Sequence, residues 1–366
     1  MGNILAFCSG RNFLALSCGG KVTKINLLGF TRDEFTNFFL KLGAKSFQAT
    51  QIIKWIHQLG VIDFAHMTNF KVLLRQYLTE HCVIGLPVVT KELEAADGTK
   101  KWVLQLEDNN FIETVFIPDG TRGTLCVSSQ VGCSLGCVFC ATGKLGFTRN
   151  LTVAEIIGQL WLAVWKLLHR QIVTNVVFMG MGEPLLNYDN VLKAVELMLD
   201  DNAYGLSKYR VTLSTCGLIP EILRLRQQSP VALAISLHAP TDALRNKLMP
   251  INKKYPLKDL MFACNNYYMQ EKRRRVTVEY IMLHDVNDSD ERAKQLVTLL
   301  SYGRYKVNLI PGNIVDNSYR SSSEARIDAF RNILLSKGIN TITRKSRGSE
   351  IMAACGQLGA TSGIFD

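Results

Sequence analysis

The chain has 366 residues, 47% of them apolar and 20% charged, which suits two or three units with a sizeable core and excludes a disordered or fibrous polymer. Lys and Arg outnumber Asp and Glu by 42 to 31, a net charge of +11, and that balance favours an anionic partner, nucleic acid first. Ten cysteines are too few for a disulfide scaffold, and no run is long and apolar enough to span a membrane, so a reducing, cytoplasmic setting without membrane contact is expected.

In chain order, Met1-Gly-Asn-Ile-Leu-Ala6 opens like a myristoylation signal but has Ala where Ser or Thr is wanted, and no charged segment leads a sustained apolar run. Residues 1–23 therefore read as an extension of unknown role. From Thr31 to about Leu78 apolar residues recur at helical spacing through Leu40, Ala44, Ile52, Ile53, Trp55, Ile56 and Leu59, and Thr31 with Glu34 has a capping-box pattern. This predicts a small helical unit over 24–95. Lys101–Leu106 and Phe111–Ile117 read as strands around the turn-prone Asp108-Asn-Asn110. Beyond them, apolar strands at Thr124–Ser128, Asn175–Met179, Arg210–Ser214, Val231–Ser236, Thr277–Leu283 and Lys306–Ile310 alternate with helical stretches such as Val153–Leu168, Asn190–Leu199 and Glu324–Leu335. Such alternation over 96–366 predicts an α/β fold with a parallel sheet and right-handed crossovers. About six strand–helix units are too few to close an eight-stranded barrel.

The most specific signal is Cys133, Cys137 and Cys140, a C-x3-C-x2-C loop with no fourth cysteine close behind. Three thiolates this near can hold three irons of a [4Fe-4S] cubane and leave the fourth open to a chelating small molecule. That is the geometry needed to reduce S-adenosylmethionine (SAM) by one electron and release a 5′-deoxyadenosyl radical. The alternative, a closed zinc knuckle, wants four ligands. Other polar motifs gather at the carboxyl ends of predicted strands, where parallel α/β enzymes bind ligands. The cysteine loop follows Thr124–Ser128, Gly182 and Glu183 follow Asn175–Met179, and Ser214 ends its strand. Ser236, Leu237 and His238 end another, and Asn313 stands just past Ile310. Singly, a Ser or Asn is as readily a helix cap and His238 a core residue; together they share one rim.

The cysteine loop, with Thr124-Leu-Cys-Val-Ser-Ser-Gln130, Val176-Val-Phe-Met-Gly-Met-Gly-Glu-Pro184 and Ala353-Ala-Cys-Gly-Gln-Leu-Gly359, resembles the RlmN family of dual-specificity radical-SAM RNA methyltransferases. The resemblance runs from about Lys24 to Gly359. It implies an open, partial (βα)6 radical-SAM barrel with a small N-terminal helical domain. It also implies methylation of C2 of adenosine in 23S rRNA, at the peptidyl-transferase centre, and in tRNA, 3′ of the anticodon. The cofactors implied are one [4Fe-4S] cluster and SAM. The partners are the two RNAs and an external one-electron reductant of flavodoxin or ferredoxin type, with the protein itself expected to be a monomer.

Adenine C2 carries no acidic proton, and ordinary methyl transfer would need a nucleophile there; a radical route avoids that need. By the resemblance, Cys355 takes a methyl from one SAM, and a radical from a second SAM removes a hydrogen atom from it. The carbon radical adds to C2, and Cys126 then forms a disulfide with Cys355 that frees the product. Gly182 and Glu183 would contact the SAM amino group, while Ser214, Ser236, Leu237, His238 and Asn313 line the rest of its pocket. Glu113 matches the family's proton-acceptor position, a role for which Cys126 competes.

Cys355 must be a thiolate to attack, and Arg344, Lys345 and Arg347 lie near it in sequence. Basic residues also cluster at Lys208–Arg210, Lys253-Lys254 and Lys272–Arg275, which together suggest phosphate-tracking surfaces. Cys8, Cys18, Cys82, Cys216 and Cys264 read as small buried or incidental thiols. The chain departs from the family pattern at Arg347-Gly-Ser-Glu-Ile-Met352, where relatives tend to carry an acidic pair, and at Pro311-Gly-Asn313, which lacks an aromatic before Asn. Both departures bear on RNA docking. Two other readings stay open: a Cfr-type methyltransferase acting at C8, and a non-catalytic iron–sulfur or zinc protein that binds RNA.

Overall fold

The computed structural model describes residues 24–168, 172–229, 231–269, 271, 274–313 and 319–359; the N-terminal extension, Lys272 and Arg273 lie outside them. At the start, β1 (Ile25–Asn26) and β2 (Cys82–Val83) pair in parallel around helices α1 (Arg32–Lys41), α2 (Phe47–Ile53) and α3 (Val72–His81). The expected capping box is present: the Thr31 hydroxyl accepts from the Glu34 N–H and the Glu34 carboxylate accepts from the Thr31 N–H, meeting two backbone donors that a helix start leaves open. Beyond α2 the helix widens over Lys54–Gln58. Carbonyls there accept the indole N–H groups of Trp161 and Trp165, Ile56 at 2.8 Å and His57 at 3.2 Å. Arg32 donates to Asp200 at 3.1 Å, so the small unit is fastened to the barrel rather than hung from it.

The larger part is built on one ten-stranded sheet. In chain order its first strands are β3 (Val88–Glu94), β4 (Lys100–Gln105), β5 (Phe111–Asp119) and β6 (Arg122–Cys126), which run antiparallel to one another. A separate hairpin, β7 (Gln130–Gly132) with β8 (Phe147–Asn150), flanks the short helix α4 (Ala141–Lys144). The sheet resumes with β9 (Ile172–Phe178), β10 (Val211–Thr215), β11 (Ala232–Ser236), β12 (Val276–Met282), β13 (Tyr305–Pro311) and β14 (Asn340–Thr343). Strand β6 pairs in parallel with β9, and each later strand pairs in parallel with the one before it. The crossovers carry α5 (Val153–Leu162), α6 (Tyr188–Leu199), α7 (Ile219–Gln228), α8 (Asp242–Leu248), α9 (Leu257–Tyr267), α10 (Asp290–Leu300) and α11 (Glu324–Ser336). Strands such as β12 are buried at every position, as expected for a parallel sheet covered on its outer face by helices and closed inward on itself.

The sheet order ends at β14 on one edge and β3 on the other, so the barrel is open and partial, as anticipated. One boundary needs correction. The helical unit was placed over 24–95, yet Val88–Glu94 is a strand paired with β4, so the sheet starts at Val88. Its sequence Val-Val-Thr-Lys-Glu-Leu-Glu carries three charges on a half-exposed edge, which hides the strand. Strand β14 adds a further parallel member beyond the expected set. Among the described residues no helix is long and apolar enough to cross a membrane.

Candidate active site

Two adjoining cavities open at the carboxyl ends of the parallel strands. The first, with about 870 Å³ of space open to solvent, is lined by Cys133, Cys137, Cys140, Gly182, Glu183, Ser214, Ser236 and His238. The second is lined by Cys126, Asn313, Arg344, Lys345 and Arg347. Met179, Ile310, Cys355 and Leu358 belong to both. Cys355 thus stands at the seam.

The cysteine loop hangs from the β7–β8 hairpin, where the Cys133 N–H donates to the Gly146 carbonyl at 2.7 Å, and α4 follows directly on Cys140. All three thiols are free. Burial pushes Cys133 up to about 12 and Cys140 up to about 11, so ionising them would require a cation, as iron provides. A cubane takes one thiolate per iron, which three thiols on one loop can supply while leaving the fourth iron open. The donor set fits the cluster.

Glu183 is buried, and both its carboxylate oxygens accept backbone N–H groups, Oε1 from Leu185 at 3.0 Å and Oε2 from Cys216 at 2.8 Å. Burial pushes its carboxyl up from the ordinary value while those bonds pull it back. Gly182 has a φ of 97°, and a Cβ there would lie 2.5 Å from the Gln130 Cβ, so only glycine lets the chain pass. His238 takes a left-handed φ of 59°; its Nδ1 accepts the Ile281 N–H at 3.0 Å, leaving Nε2 as the protonated nitrogen. Burial lowers it to about 3, so the ring stays neutral. Phe139, between two of the cysteines, meets its ring edge-on at 4.7 Å.

The structure sets Leu237 and Glu113 apart from these residues. Leu237 is fully buried and lines neither cavity; its carbonyl accepts from the Arg245 Nε at 3.1 Å. Glu113, on β5, also lines neither. Its Oε1 faces the Lys101 ammonium at 3.5 Å and its Oε2 accepts the Gly359 N–H at 3.0 Å. Burial pulls Lys101 below its ordinary value, with the Glu113 carboxylate opposing.

Asn313 lies with the second cavity, where it accepts from the Ser346 hydroxyl. Cys126 ends β6 and is buried, which pushes its thiol up to about 12. Cys355 is open to the water of both cavities yet walled in by protein, so desolvation pushes its thiol up while Arg344 pulls it down and Glu279 pushes it further. Both thiols are free.

Among the residues of the first cavity that sequence reasoning missed are Glu279 and Cys216. Glu279 lines it from β12; its Oε1 accepts from Asn308 at 2.8 Å, while its Oε2 makes no hydrogen bond and is met only by the Arg344 guanidinium at ion-pair distance. Cys216, to which no role was given, also lines it, with its sulfur 3.9 Å from that of Cys137. A lone carboxylate in the apolar run Val276–Met282 was the available signal for Glu279. Cys216 offered none. The basic runs divide: Arg344, Lys345 and Arg347 flank Cys355, while Arg274, Arg275 and Tyr209 line a hollow at the opposite, amino ends of the strands with Thr212, Thr277 and Lys306.

Residues 25–84 match the Ribosomal RNA large subunit methyltransferase N-terminal domain, and residues 127–297 match the Radical SAM superfamily. The fold superposes on that of a radical SAM methyltransferase from Sphaerobacter thermophilus with a TM-score of 0.86 and 39% identity, over 92% of this chain and 99% of that one. This chain belongs to the RlmN family. It is a radical SAM methyltransferase. A domain of pyruvate-formate lyase-activating enzyme from Bacteroides vulgatus gives a partial likeness, with a TM-score of 0.37 and 16% identity over 47% of this chain and 99% of that one. Membership in the RlmN family implies a [4Fe-4S] cluster and SAM, and the first cavity offers the three thiols and the polar rim to hold them.

Proposed function

We propose that this RlmN-family protein methylates C2 of adenosine in 23S rRNA and in tRNA, carrying the methyl on Cys355. The observation that supports this most is the position of Cys355 on both cavities, with the cluster cysteines on one and Cys126 on the other. A nucleophile so placed can meet SAM from one side and RNA from the other. Bound at Cys133, Cys137 and Cys140, the cluster would supply the electron that cleaves SAM to a deoxyadenosyl radical.

The Cys355 thiolate attacks the sulfonium methyl, forming an S–CH3 bond as S-adenosylhomocysteine leaves. After loss of a hydrogen atom the methylene radical adds to C2. Attack of the Cys126 thiolate on the Cys355 sulfur forms the disulfide and breaks the S–methylene bond. The radical anion so released passes one electron to the oxidised cluster that Cys133, Cys137 and Cys140 would hold, and a proton moves from C2 to the methylene carbon to complete the methyl group. Two electrons and two protons from the external reductant then reopen the Cys126–Cys355 disulfide. His238, held neutral, and Ser214 and Ser236 are suited to hydrogen-bond SAM, and Glu183 holds the Gly180–Gly182 turn against Cys216. Arg344, Lys345 and Arg347 offer cations for RNA phosphates. An external flavodoxin- or ferredoxin-type reductant, a monomeric state and a cytoplasmic setting complete the reading.

Mass analysis of nucleosides from rRNA and tRNA after reaction tests it. The expected product is 2-methyladenosine. An 8-methyl product would assign Cfr-type chemistry, and no methylated adenosine would mean a non-catalytic protein.

A further inference from the structure

We infer that Lys101 and Glu113 are positioning residues: together they form a buried clamp that grips both ends of the Met352–Gly359 loop and so aims Cys355. This rests on the reading of Cys355 as the methyl carrier. On the antiparallel ladder Val103 faces Glu113 and Lys101 faces Val115, so Lys101 and Glu113 are diagonal neighbours on one face. Both are buried, Lys101 at 0% and Glu113 at 3% exposure. The Lys101 ammonium donates to the Met352 carbonyl at 3.1 Å, where the loop begins, and the Glu113 carboxylate accepts the Gly359 N–H at 3.0 Å, where it ends. The two charges meet at 3.5 Å.

A buried ion pair is a poor source of stability, because apolar residues of similar volume often do as well. What this pair adds is direction: one charge fixes a carbonyl and the other an amide, on either side of Cys355. The loop needs such help, since it turns through positive φ at Met352, Gly356 and Gly359. Neither residue lines either of these two cavities, so each acts on Cys355 through the loop it holds.

The test uses the full-length, cluster-reconstituted protein with Lys101→Met, Glu113→Gln, the double variant and Lys101→Arg. Amide exchange is read peptide by peptide, together with the rate at which iodoacetamide alkylates Cys355. Each single variant should speed exchange in 352–359 on the order of tenfold and change the alkylation rate, with protection of β9–β13 unchanged. The double variant, which leaves no uncompensated charge and so keeps the fold, should show no additive effect, and Lys101→Arg should restore protection in part. Unchanged exchange in 352–359 in the double variant, or a rise spread evenly over the barrel, would overturn the clamp. If the clamp behaves as expected but Cys355 never acquires a methyl from SAM, the functional reading fails and the clamp stands.

Discussion

Arg344 reaches Glu279 across the seam between the cavities, Nη1 to Oε2 at 3.7 Å, and Cys355 sits within the field of both. The nucleophile's ionisation is therefore set by a cation and an anion acting in opposite senses. Arg344 favours the thiolate, so Arg344→Gln should raise the Cys355 pKa, displace its alkylation profile to higher pH and slow the reaction at any fixed pH below that pKa. Glu279→Gln removes the opposing charge and should displace the profile to lower pH. Iodoacetamide kinetics against pH read both, and shifts of the same sign would sink the assignment.

Cys355→Ala has no methyl carrier and should trap no RNA. Cys126→Ala can still carry the methyl and add to C2, yet nothing breaks its thioether link. It should accumulate as a covalent protein–RNA species that survives denaturation and collapses on RNase treatment. Electrophoresis of both variants after expression decides this, and an adduct on Cys355→Ala would refute the two-cysteine scheme.

Anaerobic reconstitution should yield a brown protein with about four irons. Cys140→Ala leaves two thiolates for the cluster and should lose both the colour and SAM cleavage. A colourless wild type with one tightly held zinc would be the contrary result.

RNA affinity should fall steeply with salt, and replacing Lys345 and Arg347 by Gln should lower the slope by about 1 per residue. Arg275→Gln, at the far end of the barrel, should leave it unchanged. Equal effects from the two ends would place the RNA differently from the second cavity.

The barrel was legible because strands such as Val211–Thr215 and Val276–Met282 are short apolar runs with helical stretches between them. Thr31 and Glu34 announced α1 by capping chemistry alone. What escaped notice was marginal in its apolar pattern: β3 is a charged edge strand, β14 is four residues long, and β7 is three residues ending in Gly132. At the site, cysteine spacing and polar residues at strand ends pointed to the first cavity. Lys101 could not be found in this way, since a lysine in a strand reads as solvent-facing, and only the tertiary fold brings Met352 and Glu113 to it. Resemblance marked Glu113, but its carboxylate accepts the Gly359 N–H, a partner more than two hundred positions away that local sequence could not reveal.

The Cys355 loop is also tied to the helix that follows the cluster ligands: Ala141 donates to the Gly356 carbonyl at 2.8 Å, and the Thr142 hydroxyl to that of Leu358 at 2.6 Å. Segments some two hundred positions apart thereby share one fate. Linkage is reciprocal: whatever order a bound cluster lends the loop, the loop must return as tighter retention of iron. A chain cut short before Met352 would keep every ligand and still leak its metal faster to a chelator, and air damage at the cysteines would be felt as slackness in the loop around Cys355.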